Sequence, residues 1–167
     1  MKKNIILHIS VLSLFLATAL LYSCGNNVLL DDTRTFNNDT WLRFQPEQFE
    51  VTPKSTDDCY NFLLTLTIDT SHYHETGLPV MLEIDNSNHE KRTLFSTLVL
   101  RNHNGNWMGT FDEQGNLIIT QAVRQFFFFS STLPHTINLG QRTSKYEIHG
   151  IRSLNFKVEK AKLEYPE

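Results

Sequence analysis

Hydrophobic and polar residues alternate with a period of two along much of the chain after Trp41. The clearest segment is 60–68, in which Tyr60, Phe62, Leu64, Leu66 and Ile68 share one face while the other face is mainly polar. A period of two is typical of a β-strand with one buried face. The segments 80–85 and 154–159 show the same alternation, so each predicts a further half-buried strand.

Two more segments are apolar on both faces. In 94–100, Phe95 and Val99 lie opposite the leucines, which predicts a strand buried on both sides. The segment 121–129 ends in four consecutive phenylalanines, of which a strand directs two to each face. Burying one Phe gains about 1.5–3 kcal/mol. The second pair is therefore expected either under a covering loop of a central strand or against a protein partner.

Turn signals separate these segments and complete the prediction of the fold. They occur at 74–77, 85–88, 104–105 and 113–116, and Asn104-Gly105 favours a type I′ hairpin turn. We find no stretch of ten or more residues with convincing helical spacing. Many short strands at about ten-residue spacing predict an all-β fold, a single β-sandwich of the jelly-roll type over residues 41–167.

The first 24 residues have the pattern of an exported lipoprotein. Lys2 and Lys3 precede an apolar run over 5–21, as in a secretory signal peptide, and the run is marginal for a membrane span. Leu21-Tyr22-Ser23-Cys24 resembles the bacterial lipobox, which implies cleavage after residue 23 and acylation of Cys24, palmitate included. An uncleaved anchor and a secreted protein with a chance cysteine are the alternatives.

This pattern divides the chain and assigns a compartment. Residues 1–23 are the predicted signal, 24–40 the lipidated cysteine with a polar tether, and 41–167 the domain. Two or more acyl chains hold a protein stably on a membrane where one does not. The predicted location is the cell envelope at the outer membrane, because no Asp follows Cys24 to favour inner-membrane retention. Which face of that membrane it occupies stays open.

Charge and cysteine content narrow the classes of function. Loss of residues 1–23 leaves 144 residues and changes the net charge from −3 to −5, since that segment carries Lys2 and Lys3 but no acid. A mildly acidic domain is a poor nucleic-acid binder, so no nucleic-acid partner is predicted. With Cys24 acylated, Cys59 has no disulfide partner, and it is read as a buried small hydrophobe or as a reactive thiol.

Few segments of the sequence suggest a metal site or a catalytic site. His72 and His74 could share a zinc ion with a third ligand such as His89 or His103, and 112–116 has the oxygen donors of a calcium turn. Ordinary loops explain both segments as well, so we predict no metal and no cofactor. Nucleophile-elbow and phosphate-loop motifs are absent from the sequence, which indicates a protein that is not an enzyme. A hydrolase stays open as an alternative, because strands can bring distant carboxylates together.

Four residues are the predicted binding positions. Phe126 and Phe128 are candidates for contacts with another envelope protein, and Arg142 is an exposed strand position. Trp107 follows a tight turn, where its ring could stack on a sugar, although a core role is as common for a Trp in a sandwich. Contacts with envelope proteins are the first functional hypothesis, and binding of a surface glycan is the second.

The sequence also resembles a known family. The resemblance rests on a lipobox followed by dispersed short motifs, namely Trp41-Leu42-Arg43-Phe44, Gly105-Asn106-Trp107-Met108-Gly109, Gln141-Arg142, Gly150-Ile151 and Val158-Glu159. These motifs are similar to those of the GldH lipoproteins, which are associated with gliding motility in Bacteroidetes-type bacteria. The resemblance implies an accessory component of a gliding or secretion apparatus that is anchored in the envelope and works through protein contacts, without catalytic residues.

Overall fold

The structure is a computed structural model, and it describes residues 27–86, 88 and 90–162. These residues form eleven β-strands and one short 3-10 helix at Asn37–Asp39. The strands are β1 (Val28–Thr35), β2 (Thr40–Leu42), β3 (Glu47–Val51), β4 (Cys59–Ile68), β5 (Gly77–Asn86), β6 (Lys91–Val99), β7 (Thr110–Phe111), β8 (Leu117–Phe128), β9 (His135–Gln141), β10 (Glu147–His149) and β11 (Ile151–Lys160).

Two antiparallel sheets pack face to face. The first sheet has the order β1-β11-β4-β8-β7, and the second has the order β3-β9-β5-β6. When the three shortest strands are set aside and the other eight are numbered along the chain, these orders become 1-8-3-6 and 2-7-4-5. This is the topology of a jelly roll. The predicted all-β sandwich is confirmed.

The core lies between the inner faces of the two sheets, as the alternating pattern predicts. On β4 the side chains of Phe62, Leu64 and Leu66 are fully buried, and their neighbours Leu63 and Thr65 are only half-buried. On β11 the buried positions are Leu154, Phe156 and Val158. The strand pattern in the sequence therefore fixes which face of each central strand packs inward.

The sandwich begins earlier than the sequence indicates. Strand β1 pairs with β11 along its length, and its Leu29 and Leu30 pack against the core. The predicted boundary at residue 41 is wrong, because residues 28–35 belong to the sandwich and not to a tether. An edge strand has one covered face and one open edge, so its sequence carries polar residues such as Asp31 and Asp32 and looks like a linker.

Strand β6 corrects a second prediction. Phe95 is 69 % exposed and Val99 is 48 % exposed, so this strand is buried on one face only.

The hairpin turn after Leu100 is also different from the predicted type I′ turn, since only Gly105 has a positive φ there. Gly105 donates its N–H to the carbonyl of Asn102 and closes a longer loop, in which one residue in the left-handed region is sufficient.

Candidate functional site

The strand register gives the sandwich two distinct ends. At one end lie Thr35 of β1, Ile68 of β4 and Leu117 of β8, and we call it the cleft end. At the other end lie Val28 of β1 and the paired residues Cys59 and Phe128, and we call it the aromatic end. Each β-strand of ten residues spans about 33 Å, so the two ends are well separated.

A cavity opens at the cleft end. Its volume is about 590 Å³, within the range of small-ligand sites. The residues that line it are mostly polar, with two aromatic rings among them: Thr35, Phe36, Asn37, Asn38, Thr40, Trp41, Leu42, Gln45, Glu47, Glu147 and His149. We refer to this cavity as the cleft.

A two-stranded sheet brings the two halves of the cleft together. Strand β2 pairs with β10, so that Thr40 lies opposite His149 and Leu42 opposite Glu147. The hydroxyl of Thr40 lies 3.0 Å from Nδ1 of His149, and Nε2 of that ring lies 3.3 Å from Oε1 of Glu147. These contacts hold a carboxylate, an imidazole and a hydroxyl in one row along the cleft.

The turn between β1 and β2 is strained. Asn38 and Asp39 both adopt left-handed backbone conformations, with φ of 54° and 52°. Each such residue costs about 1–3 kcal/mol unless neighbours hold it in place. Gly150 donates its N–H to the carbonyl of Asp39 over 2.8 Å, and Arg152 lies 3.4 Å from the Asp39 carboxylate. The strain is therefore maintained by contacts from Gly150 and from β11, the strand that pairs with β1 in the same sheet.

Trp41 adds an unsatisfied donor to the same region. Its ring stacks on Phe36 with a centroid distance of 5.3 Å, and its side chain is fully buried. Within the described residues the indole Nε1 has no hydrogen-bond acceptor. A buried unpaired donor costs about 1–3 kcal/mol. Strain and an unpaired donor beside one cavity indicate a site that is shaped for a ligand more than for stability.

The charge of the cleft defines which ligands suit it. Its described lining contains two carboxylates and one imidazole, and no lysine or arginine. Burial raises the pKa of Glu47, and Arg34, whose Nε lies 3.6 Å from the carboxylate, partly opposes that shift. An acidic lining disfavours anions. The mixture of amides, hydroxyls and carboxylates suits a ligand that both donates and accepts hydrogen bonds.

Two exposed aromatic rings flank the cleft. Phe44 is 70 % exposed and Tyr146 is 60 % exposed, and their ring centroids are 5.9 Å apart. Arg43 donates its backbone N–H to the carbonyl of Tyr146 over 2.8 Å, which fixes the two segments against each other. Their chain neighbours Gln45 and Glu147 line the cleft, so the aromatic pair is attached next to the lining without being part of it.

The four predicted binding residues do not form one surface. Phe126 and Phe128, 48 % and 47 % exposed, lie at the aromatic end, while Phe127 and Phe129 point into the core. The prediction that the run directs two rings to each face is confirmed. Arg142 is exposed, and its N–H donates to the carbonyl of Pro79, near the cleft end.

Trp107 is half-buried, and part of its ring is already covered. The guanidinium of Arg101 lies 3.5 Å from the ring centroid, and Arg101 also donates to the carbonyl of Gly105. The ring packs against the core as well. With Arg101 on the ring face, Trp107 is a weaker platform for a sugar than the exposed pair at the cleft.

The candidate metal ligands already have other contacts. Nδ1 of His72 lies 3.1 Å from the carboxylate of Asp69, which also accepts hydrogen bonds from Ser71 and Arg152, and these bonds hold the pKa of Asp69 well below its usual range. Asp112 accepts the backbone N–H groups of Gln114 and Asn116. Among the described residues, no group of three or more His, Cys, Asp and Glu could hold a metal ion. His89 lies outside them.

Of the two cysteines, the structure describes only Cys59. Cys59 is buried, 3 % exposed, as expected for a small hydrophobe beside a strand. Cys24 and the signal segment lie outside the described residues, so their predicted roles stay predictions. In the part of the chain that the structure describes, no helix has the length and apolar character needed to cross a membrane.

Sequence reasoning did not identify the residues of the cleft. They come from two segments about a hundred positions apart, 35–47 and 147–149, and the three-residue pairing of β2 with β10 joins them. The only signal was the motif that begins at Trp41, which pointed to a family and not to a site. Comparison with known proteins adds no assignment: no protein-family model matches the chain, and no curated protein matches it.

Proposed function

We propose that the protein is a membrane-anchored lipoprotein of the cell envelope that binds a neutral glycan in its cleft. The cleft is the observation that carries this proposal, because it combines a suitable volume with mixed hydrogen-bonding groups and adjacent exposed rings. Sugar hydroxyls both donate and accept hydrogen bonds, and the C–H faces of sugars pack on aromatic rings. Acylation of Cys24 supplies the anchor.

A matched pair of variants tests the glycan site. Tyr146→Ala and Phe95→Ala each remove an exposed aromatic ring, but only Tyr146 is the chain neighbour of a residue that lines the cleft. We expect Tyr146→Ala to weaken binding of a glycan-array hit at least tenfold, and Phe95→Ala to leave it unchanged. An array without signal, or equal losses for the two variants, contradicts the proposal.

The same assay addresses catalysis. Glu47 and Glu147 both line the cleft, and a pair of carboxylates is the usual equipment of a glycoside hydrolase. The proposed role is binding without turnover, so the glycan recovered after long incubation should be intact by mass spectrometry. Cleaved product that disappears in Glu147→Gln would replace the binding role with an enzymatic one.

A second candidate function is contact with another envelope protein, as the family resemblance implies. The outer face of β6 favours it, because Phe95 and Val99 are exposed there on an edge strand, and Phe95 lies opposite Met81 of β5. A photo-cross-linking residue at Phe95 should then capture one defined protein in cells, and the same residue at Glu50, on the outer face of β3, should not. Identical patterns from both positions would remove this candidate.

A further inference from the structure

We propose that the aromatic end of the sandwich rests on the lipid surface, with Phe126 and Phe128 in the headgroup region, so that the cleft faces away from the membrane. This orientation rests on the proposed acylation of Cys24 and is independent of what the cleft binds.

The argument begins with the length of chain between the anchor and the fold. Three residue steps separate Cys24 from Asn27, and a fully extended chain spans roughly 3.3–3.6 Å per step, or about 10 Å. Asn27 is part of the sandwich, since its carbonyl accepts the backbone N–H of Lys160 over 2.6 Å. An acylated Cys24 therefore holds Asn27 close to the bilayer surface.

The strand register shows what else lies at that level. Lys160 pairs with Tyr60, and Tyr60 pairs with Phe127, so one row of residues crosses the first sheet from Asn27 to the phenylalanine run. Neighbouring strands are about 4.8 Å apart, which places this run about 14 Å to the side of β1. The anchor and the exposed phenylalanines thus belong to the same end of the molecule.

The exposed side chains at this end suit a membrane interface. The apolar ones are Val28, Phe126, Phe128 and Leu133, which are 40–48 % exposed. Arg92 and Arg124 are exposed beside them, and Arg92 donates to the carbonyl of Phe128 over 3.4 Å. Aromatic rings at the headgroup level, flanked by cations that attract anionic lipids, are the usual composition of an interfacial contact.

The backbone conformation at Phe126 is strained. Phe126 has a φ of 52°, which is a genuine outlier for a bulky residue, and the pairing of β8 with β4 shifts register beside it. Asn61 accepts the Phe126 N–H over 3.2 Å, so the irregularity leaves no unpaired donor at that position. A β-bulge of this kind redirects a side chain. Here the strained residue is one of the two exposed rings.

Depth-dependent quenching tests the orientation in the whole acylated protein. The protein is reconstituted into phosphatidylethanolamine–phosphatidylglycerol vesicles that contain a spin-labelled lipid, with a nitrobenzoxadiazole probe on Phe128→Cys. The matched control is Phe44→Cys at the cleft end, and Leu133→Cys is a second probe at the aromatic end. Wild-type protein is treated with the same probe to measure how much of the label reacts with the buried Cys59. We expect at least twofold quenching at positions 128 and 133 and little at 44.

The outcomes separate the anchor from the orientation. Acylated protein that shows no quenching at 128 and 133, or equal quenching at 44, overturns the orientation while the anchor stands. Mass spectrometry that finds an unmodified Cys24 removes the premise, and the proposed orientation with it. Additional replacement of Phe126 by Ser should lower quenching at 128 without releasing the protein from vesicles, whereas Cys24→Ala should release it.

Discussion

The two ends of the sandwich are built in opposite ways. At the aromatic end, rings pack together in the core. The ring centroid of Phe127 lies 5.0 Å from those of Phe62 and Phe129, and the centroid of Phe129 lies 4.8 Å from that of His135. At the cleft end, a cavity of about 590 Å³ is lined by residues 35–47, Glu147 and His149, with a strained turn beside it. One end therefore supplies stability, and the other tolerates strain and an unpaired donor where a ligand can bind.

The largest expected effect on stability comes from removing a core side chain at the aromatic end. Phe62 is fully buried and contacts Phe127, Phe129 and Phe156. Phe62→Ala should lower the free energy of unfolding by about 3–5 kcal/mol, because it removes a large buried side chain and leaves a cavity. Urea denaturation measures the loss. Phe128→Ala is the control, with a loss below about 1 kcal/mol because this ring is already about half exposed, and equal losses would contradict the packing described for this end.

A smaller effect is expected from two glycines that have a positive φ, Gly150 at the cleft end and Gly105 in the loop after β6. Gly150 has a φ of 87°, and a Cβ there would lie 2.8 Å from the carbonyl oxygen of Asp69 and 2.9 Å from the backbone nitrogen of Tyr73. Gly105 has a φ of 81° with nothing within 4 Å of such a Cβ. Gly105→Ala should cost about 1–2 kcal/mol from the left-handed conformation alone. Gly150→Ala should cost more, because backbone atoms must also shift.

The thermal midpoints of the two glycine variants give the comparison directly. The clash at Gly150 lies beside the Asp39 carbonyl contact, so Gly150→Ala should also weaken any ligand of the cleft, and Gly105→Ala should not. If the two variants lose equal stability, then the crowding around Gly150 is relieved by movement of the Tyr73 segment.

Central strands could be predicted from the sequence because burial and periodicity coincide in them. The side chains at Phe62, Leu64 and Leu66 face the core as the alternation requires, and the all-β class followed. The edge strands were harder to predict. Val28–Thr35 is polar because its outer edge is open, and Phe95 is exposed on a strand whose sequence looks buried on both sides. Periodicity reports alternation, and it does not report which neighbour covers a face.

The cleft could not be predicted, for a related physical reason. Strands β2 and β10 are three residues each, too short for a periodic signal, and their pairing joins residues that are far apart in sequence. The left-handed Asn38 and Asp39 give only the general signal that Asn and Asp tolerate this conformation. By contrast, the division of the phenylalanine run into two inward and two outward rings could be predicted, because neighbouring residues of a strand face opposite sides. The covering loop that was one expectation for the outward pair is absent among the described residues, where Phe126 and Phe128 are about half exposed.

The smallest expected effect distinguishes the ends by pH. Burial lowers the pKa of His135 below its ordinary 6.5 at the aromatic end, and burial raises the pKa of Glu47 above its ordinary 4.5 at the cleft end. Between the native pKa of His135 and 6.5 the unfolded chain binds more protons, so stability falls as the pH decreases through that window. Just above 4.5 the native state holds more protons at Glu47, so that contribution falls as the pH increases.

Two variants separate these opposite slopes. The free energy of unfolding is measured by urea denaturation at intervals from pH 4.5 to 7.5 for wild type, His135→Gln and Glu47→Gln. His135→Gln should flatten the dependence just below pH 6.5, and Glu47→Gln should flatten it just above pH 4.5. The slope is the readout, so a uniform loss of stability in either variant does not affect the conclusion. A wild-type slope that persists in His135→Gln would mean that protonation of this ring is tolerated, and that the aromatic end is less closed than its ring contacts indicate.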